Sequence, residues 1–184
     1  MRHAVLLYLD EESEAAILGL QRALDAAGLP TPLRHWPELR PHITLASYLD
    51  VPHEATLIDL VRRYAWAKPP LGIRFESLGI FLRPSTVLFL SPDPSLALLK
   101  DHEDLYDQVD RLELPMDRHY APDSWTPHCT ISEGMRQEQL VEAVRIVAGE
   151  ATFPLVARAR AVGIIKVEDE PVAIKSLAEF PWGK

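Results

Sequence analysis

The chain is short of cysteine, of long apolar runs and of positive charge, and each shortage removes a class of explanation. Cys129 is the only cysteine in 184 residues, so neither an internal disulfide framework nor a cysteine-based zinc cage can be assembled. No apolar stretch approaches the roughly 20 residues that span a bilayer. The opening MRHAVLLYLDEE has too short an apolar segment, and no small-residue cleavage site, for a secretory signal. A cytoplasmic protein without membrane contact is expected. The formal net charge is −8, which argues against a protein that tracks long nucleic acid, because such binding neutralises many phosphates with Lys and Arg. A short or small anionic substrate is compatible with that charge. The chain contains no glycine-rich phosphate loop and no dinucleotide fingerprint. Its 8 glycines are outnumbered by 16 prolines, which sit between periodic apolar segments as stops rather than in a disordered tail.

What is present reads as an ordinary globular chain, 47% hydrophobic and 25% charged. Residues 3 to 9 form an apolar run suited to a buried strand. Glu12 to Ala27 carries apolar residues at helical spacing, stopped by Gly28 and Pro30. A loop, TPLRHWPELR, leads to a strand around PHITLASY, and a helix from Glu54 to Ala67 follows. IRFESLGIFL and STVLFLS read as a hairpin. The order then begins again, with a helix from Ser95 to Leu112, a long loop, a strand at PHCTIS, a helix over 135 to 149, and a final strand pair turned at DEP. Alignment on His42 and His128 places Gly79 at 37 residues past the first and Gly163 at 35 past the second. This is a two-copy repeat, about 3–84 and 85–180, which implies a single domain of two α/β lobes related by a pseudo-twofold axis.

The repeat centres on PHITLA, residues 41 to 46, and PHCTIS, residues 127 to 132. In a strand alternate side chains share a face, so His42 and Thr44 point one way and Ile43 and Leu45 the other; His128 and Thr130 behave likewise. The separation along the strand, about 6.5 to 7 Å, brackets a phosphate between an imidazole and a hydroxyl. A lone His-x-Thr in a strand is usually a structural pair. One P-H-x-T arises by chance in about one chain in fifty of this length, whereas here it occurs twice at equivalent points. Arg40 precedes His42 by two and is a candidate phosphate ligand; Tyr48, further along the strand, is a candidate to stack on a base. Cys129 should face the core. His35, Trp36, His119, Tyr120 and Trp125 lie in the loops before the motifs, where substrate contacts are commonly built. Neither motif offers the further ligands that a zinc site needs.

The two P-H-x-T motifs, some 86 residues apart in an α/β chain of this size, resemble those of the two-histidine (2H) phosphoesterase superfamily, of the 2',5' RNA ligase or cyclic phosphodiesterase type. The resemblance implies an α/β (α+β) fold with two antiparallel-rich sheets, flanking helices and a central cleft. It assigns His42 and His128 as catalytic, with Thr44 and Thr130 binding phosphate. Opening a 2',3'-cyclic phosphate needs a base on one side of phosphorus and an acid on the other, and histidine is the side chain whose unperturbed pKa suits both. The expected activity is a metal-independent cyclic phosphodiesterase with no cofactor, acting as a monomer on a nucleotide or short RNA end, with RNA ligation as its reverse. Two alternatives stand beside it: a non-catalytic module that binds phosphate or RNA ends, and a phosphodiesterase for a small metabolite cyclic phosphate. Glu133, just past the second motif, is where members of the superfamily often carry a neutral or basic residue, which argues further against a long polyanion.

Overall fold

The apolar run at 3 to 9 becomes β1 (Arg2–Leu9). Its last five residues, Val5 to Leu9, are all buried, as a strand covered on both faces requires. The computed structural model describes residues 2–82, 85–169 and 172–183. Asp10 turns the chain into α1 (Glu11–Ala26): its carboxylate accepts the Ser13 N–H at 3.1 Å, and Glu11, Glu12 and Glu14 occupy the first turn, where the helix dipole favours them. Gly28 stops this helix with φ +80°. That left-handed geometry lets the Leu29 N–H return to the Leu24 carbonyl at 3.0 Å. The remaining elements are α2 (Pro32–His35), β2 (His42–Tyr48), α3 (Glu54–Trp66), β3 (Gly72–Phe81), β4 (Thr86–Pro92), α4 (Leu96–Asp110), β5 (Cys129–Met135), α5 (Leu140–Glu150), β6 (Leu155–Asp169) and β7 (Val172–Pro181).

Most of these match the sequence pattern within a residue or two, with two differences. The loop at TPLRHWPELR contains the single helical turn α2, started by Pro32. The helix expected from 135 begins only at Leu140, because β5 runs on to Met135, which pairs with Thr86, and a 3-10 turn over Gln137–Gln139 intervenes. Of the expected DEP turn, residues 170 and 171 lie outside the described residues.

All strand pairings are antiparallel, in the order β2-β1-β6-β3-β4-β5, with β7 also pairing β6. The order is the same read from either end if the copies are interchanged. Each copy pairs its first strand with its own second strand, β1 with β2 and β4 with β5. On the other side that first strand takes the third strand of the opposite copy: β1 takes β6 and β4 takes β3. The expected two sheets therefore share β6, whose residues 155–158 pair with β3 while 159–167 pair with β1. Helices α1 and α5 pack together on one part of the sheet, and α3 packs against β6, β7 and α4 on another. The outer strands β2 and β5 approach one another, so the open sheet bends around a cleft. Among the described residues no helix is long and apolar enough to cross a membrane.

Candidate active site

Both motif strands break their ladder at the same place. Leu6 stands opposite Thr44 and Val5 opposite Ala46, leaving Leu45 unmatched. Phe89 stands opposite Thr130 and Leu88 opposite Ser132, leaving Ile131 unmatched. A β-bulge one residue past each threonine inverts the facing of everything after it. Before the bulge, alternation holds: Ile43 and Cys129 are fully buried, while His42, Thr44 and Thr130 are half-buried. After it, alternation fails. Tyr48 is fully buried in the main core and does not line the cleft, so the base-stacking role read from the sequence is wrong. Glu133, which strict alternation would bury beside Cys129 and Ile131, is turned into the cleft instead.

His42, Thr44, His128 and Thr130 line one cleft of ≈ 350 Å³, together with Arg40, Trp36, Tyr120 and Gln21. Each ring is held from its own chain: His42 Nδ1 lies 2.7 Å from the Arg40 carbonyl and His128 Nδ1 lies 2.7 Å from the Thr126 carbonyl. A carbonyl oxygen only accepts, so Nδ1 carries hydrogen in both rings and Nε2 is left for proton transfer. Each threonine carbonyl is satisfied by a side chain outside the ladder. The Trp125 indole N–H donates to Thr44 at 3.0 Å, and the Gln21 amide donates to Thr130 at 3.1 Å.

The rings are backed by aromatics from β1, β3 and β4. Tyr8 meets His42 edge-on at 6.4 Å, and Phe89 and Phe81 meet His128 at 5.3 and 5.0 Å. The repeated glycines exist for these aromatics: a Cβ on Gly163 would fall 2.3 Å from Tyr8 Cε2, and one on Gly79 would fall 2.1 Å from Phe89 Cε2. The sequence offered that signal in the equivalent glycines, but nothing in it identifies Tyr8 and Phe89 as what crosses them. Arg40 stacks over Tyr8 at 3.9 Å and lies 3.6 Å from Glu14 and 3.2 Å from Glu179, so it reaches the cleft already engaged.

Burial pushes His42 down to about 4; the Arg40 carbonyl opposes the shift, and the charge of His128 adds to it. Burial also lowers His128, against the Thr126 carbonyl. Cys129 is pushed up to about 12 by burial, as its core position requires. Of the loop residues, Trp36 and Tyr120 reach the cleft. Trp125 instead lies below it, stacked on His102 at 3.7 Å. His119 is exposed and bonded to Asp117. No cluster of three or more His, Cys, Asp or Glu side chains able to hold a metal occurs among the described residues.

The sequence model of the 2'-5' RNA ligase superfamily matches residues 37–171. No curated protein sequence matches the chain. The fold resembles that of TT0787 of Thermus thermophilus, at TM-score 0.69 and 19% identity, covering 99% of this chain and 98% of that one. E. coli LigT complexed with 3'-AMP superposes at TM-score 0.63 and 17% identity over 98% and 97% of the two chains. Kluyveromyces marxianus Usb1 does so at TM-score 0.54 and 12% identity over 96% and 97%.

Proposed function

The chain belongs to the 2'-5' RNA ligase superfamily, and from that premise we propose that it opens a 2',3'-cyclic phosphate on a nucleotide or short RNA end, using His42 and His128 as an acid/base pair. The observation that carries the reading is the matched pair of Nδ1–carbonyl bonds, which presents two Nε2 atoms across one cleft. His42, held lower, is neutral and serves as base, taking a proton from the attacking water. The water oxygen bonds to phosphorus as the bond from phosphorus to a ribose oxygen breaks, and His128 gives that oxygen its proton. Bound phosphate lifts both rings, and His128, the less depressed, is the one that holds the proton. The product is a phosphate monoester, and the proton left on His42 returns through solvent. Thr44 and Thr130 donate to the non-bridging oxygens, where charge grows. The structure of LigT with 3'-AMP supports a nucleotide-sized ligand, and ligation is the same chemistry run backwards with a ribose hydroxyl in place of water.

The test is a panel of cyclic phosphates, mononucleoside, oligonucleotide and ADP-ribose-derived, assayed with and without chelator. Turnover that ignores chelator and falls about 10² to 10⁴-fold in His42→Ala and in His128→Ala supports the reading. Turnover abolished by chelator would replace the histidine pair with metal-bound hydroxide. Binding of phosphate ends without turnover would make the protein a non-catalytic reader.

A further inference from the structure

The bulge at Ile131 puts a carboxylate where the proposed reaction has no use for one. His128, Thr130 and Glu133 form a row along β5, with Glu133 about 7 to 10 Å beyond Thr130, roughly one nucleoside away from a phosphate gripped by the histidine and threonine. Glu133 is the only acidic side chain among the described residues lining this cleft, and Arg40 the only cation other than the histidines. Arg40 does not neutralise it, being engaged with Glu14 and Glu179. The His35 imidazole lies near Glu133 but does not line the cleft. Gln21, 2% exposed, gives its amide N–H to Thr130, and its Oε1 has no partner. Pro32 and Trp36 add an apolar wall. Among the residues that line this end of the cleft, Glu133, the Gln21 Oε1 and the apolar wall offer acceptors and an apolar surface, and none is a Lys or Arg free to hold a second anion.

We propose that Glu133 sets substrate specificity: its carboxylate takes a hydrogen-bond donor from the uncharged nucleoside portion of the substrate and rejects substrates bearing a second phosphate there. The donor is either a nucleobase N–H edge or the 5'-hydroxyl. The inference rests on the phosphoesterase reading and narrows it to nucleoside cyclic phosphates with a free 5'-hydroxyl, since the terminal nucleoside of an RNA end carries a 5'-phosphodiester.

The experiment compares kcat/KM of wild type, Glu133→Gln and Glu133→Lys on guanosine and uridine 2',3'-cyclic phosphates with and without a 5'-phosphate. Inosine and 5'-deoxy analogues distinguish the base donor from the hydroxyl. Wild type should disfavour the 5'-phosphate about 10-fold, the Gln variant should shrink that ratio to about threefold or less, and the Lys variant should invert it. Calorimetry with nucleoside 3'-phosphates and 3',5'-bisphosphates reads the same ratio without turnover. An inactive protein that still discriminates through Glu133 overturns the catalytic reading and leaves this one standing. A 5'-phosphate ratio that is the same in wild type and Glu133→Gln, by rate and by binding, overturns the role of Glu133.

Discussion

A single backbone bond decides what each motif histidine can do, because donating Nδ1–H to a carbonyl two residues earlier fixes the tautomer and leaves Nε2 facing the cleft. In the proposed reaction the two threonines carry the complementary task. Thr44→Val and Thr130→Val, which keep the strand preference, should each weaken phosphate binding and lower kcat by about 10-fold or more; normal kinetics in both would remove the hydroxyls from the mechanism. Below the cleft, His102 is 2% exposed and pushed down to about 4, chiefly by burial. Its folded pKa lies below the unfolded value, so the unfolded chain takes the proton first. Stability from this group is complete above about pH 6.5 and is lost as pH falls toward 4, by on the order of 3 kcal/mol. Urea unfolding across that range should show the loss, and His102→Phe should flatten the slope. An unchanged slope would mean that His102 does not titrate differently in the two states.

The motif strands also show why some of the site could be read from sequence and some could not. His42, Thr44, His128 and Thr130 precede the bulges, where strict alternation is a sound guide, and their convergence on one cleft follows from it. Tyr48 and Glu133 follow the bulges, and no residue type at Leu45 or Ile131 announces the extra residue that inverts their facing. Helices were legible through their apolar spacing and their stops, such as Gly28 and Pro30; their caps, Asp10 and Ser95, each accept an N–H three residues on. Strand exchange was not, because pairing between distant strands leaves no local pattern. The exchange makes the repeats interdependent: Gly79 of the first copy gives Phe89 room beside His128, and Gly163 of the second gives Tyr8 room beside His42. Gly79→Ala should therefore cost about 1 to 3 kcal/mol in stability through overpacking and lower activity through the displaced Phe89. Adding Phe89→Leu should restore part of the stability, measured as a coupling in a double-mutant cycle. Strict additivity would mean that the ring and the glycine are not in competition.

Across the whole molecule, β6 joins what would otherwise be two sheets; without the second copy β3 loses both of its partners, and without the first β6 keeps only β7. The full chain should unfold in one transition, with circular dichroism and tryptophan fluorescence coincident. Fragments 1–84 and 85–184, expressed separately, should show no cooperative unfolding. A fragment that folds alone would contradict the dependence that the strand order implies.

That exchange has a consequence for heredity. Two copies of a half-length chain could satisfy the same pairings only by associating as a symmetric dimer, and every mutation would then strike both walls of the shared cleft. Duplication and fusion into one reading frame release that constraint. One wall here carries Tyr8 and Arg40 behind its histidine, with Ser47 three residues past its threonine; the other carries Phe89 and Phe81, with Glu133 at the equivalent place. A lineage with this architecture can alter position 133 on one wall without altering its counterpart, position 47, on the other, while each wall keeps its own histidine and threonine.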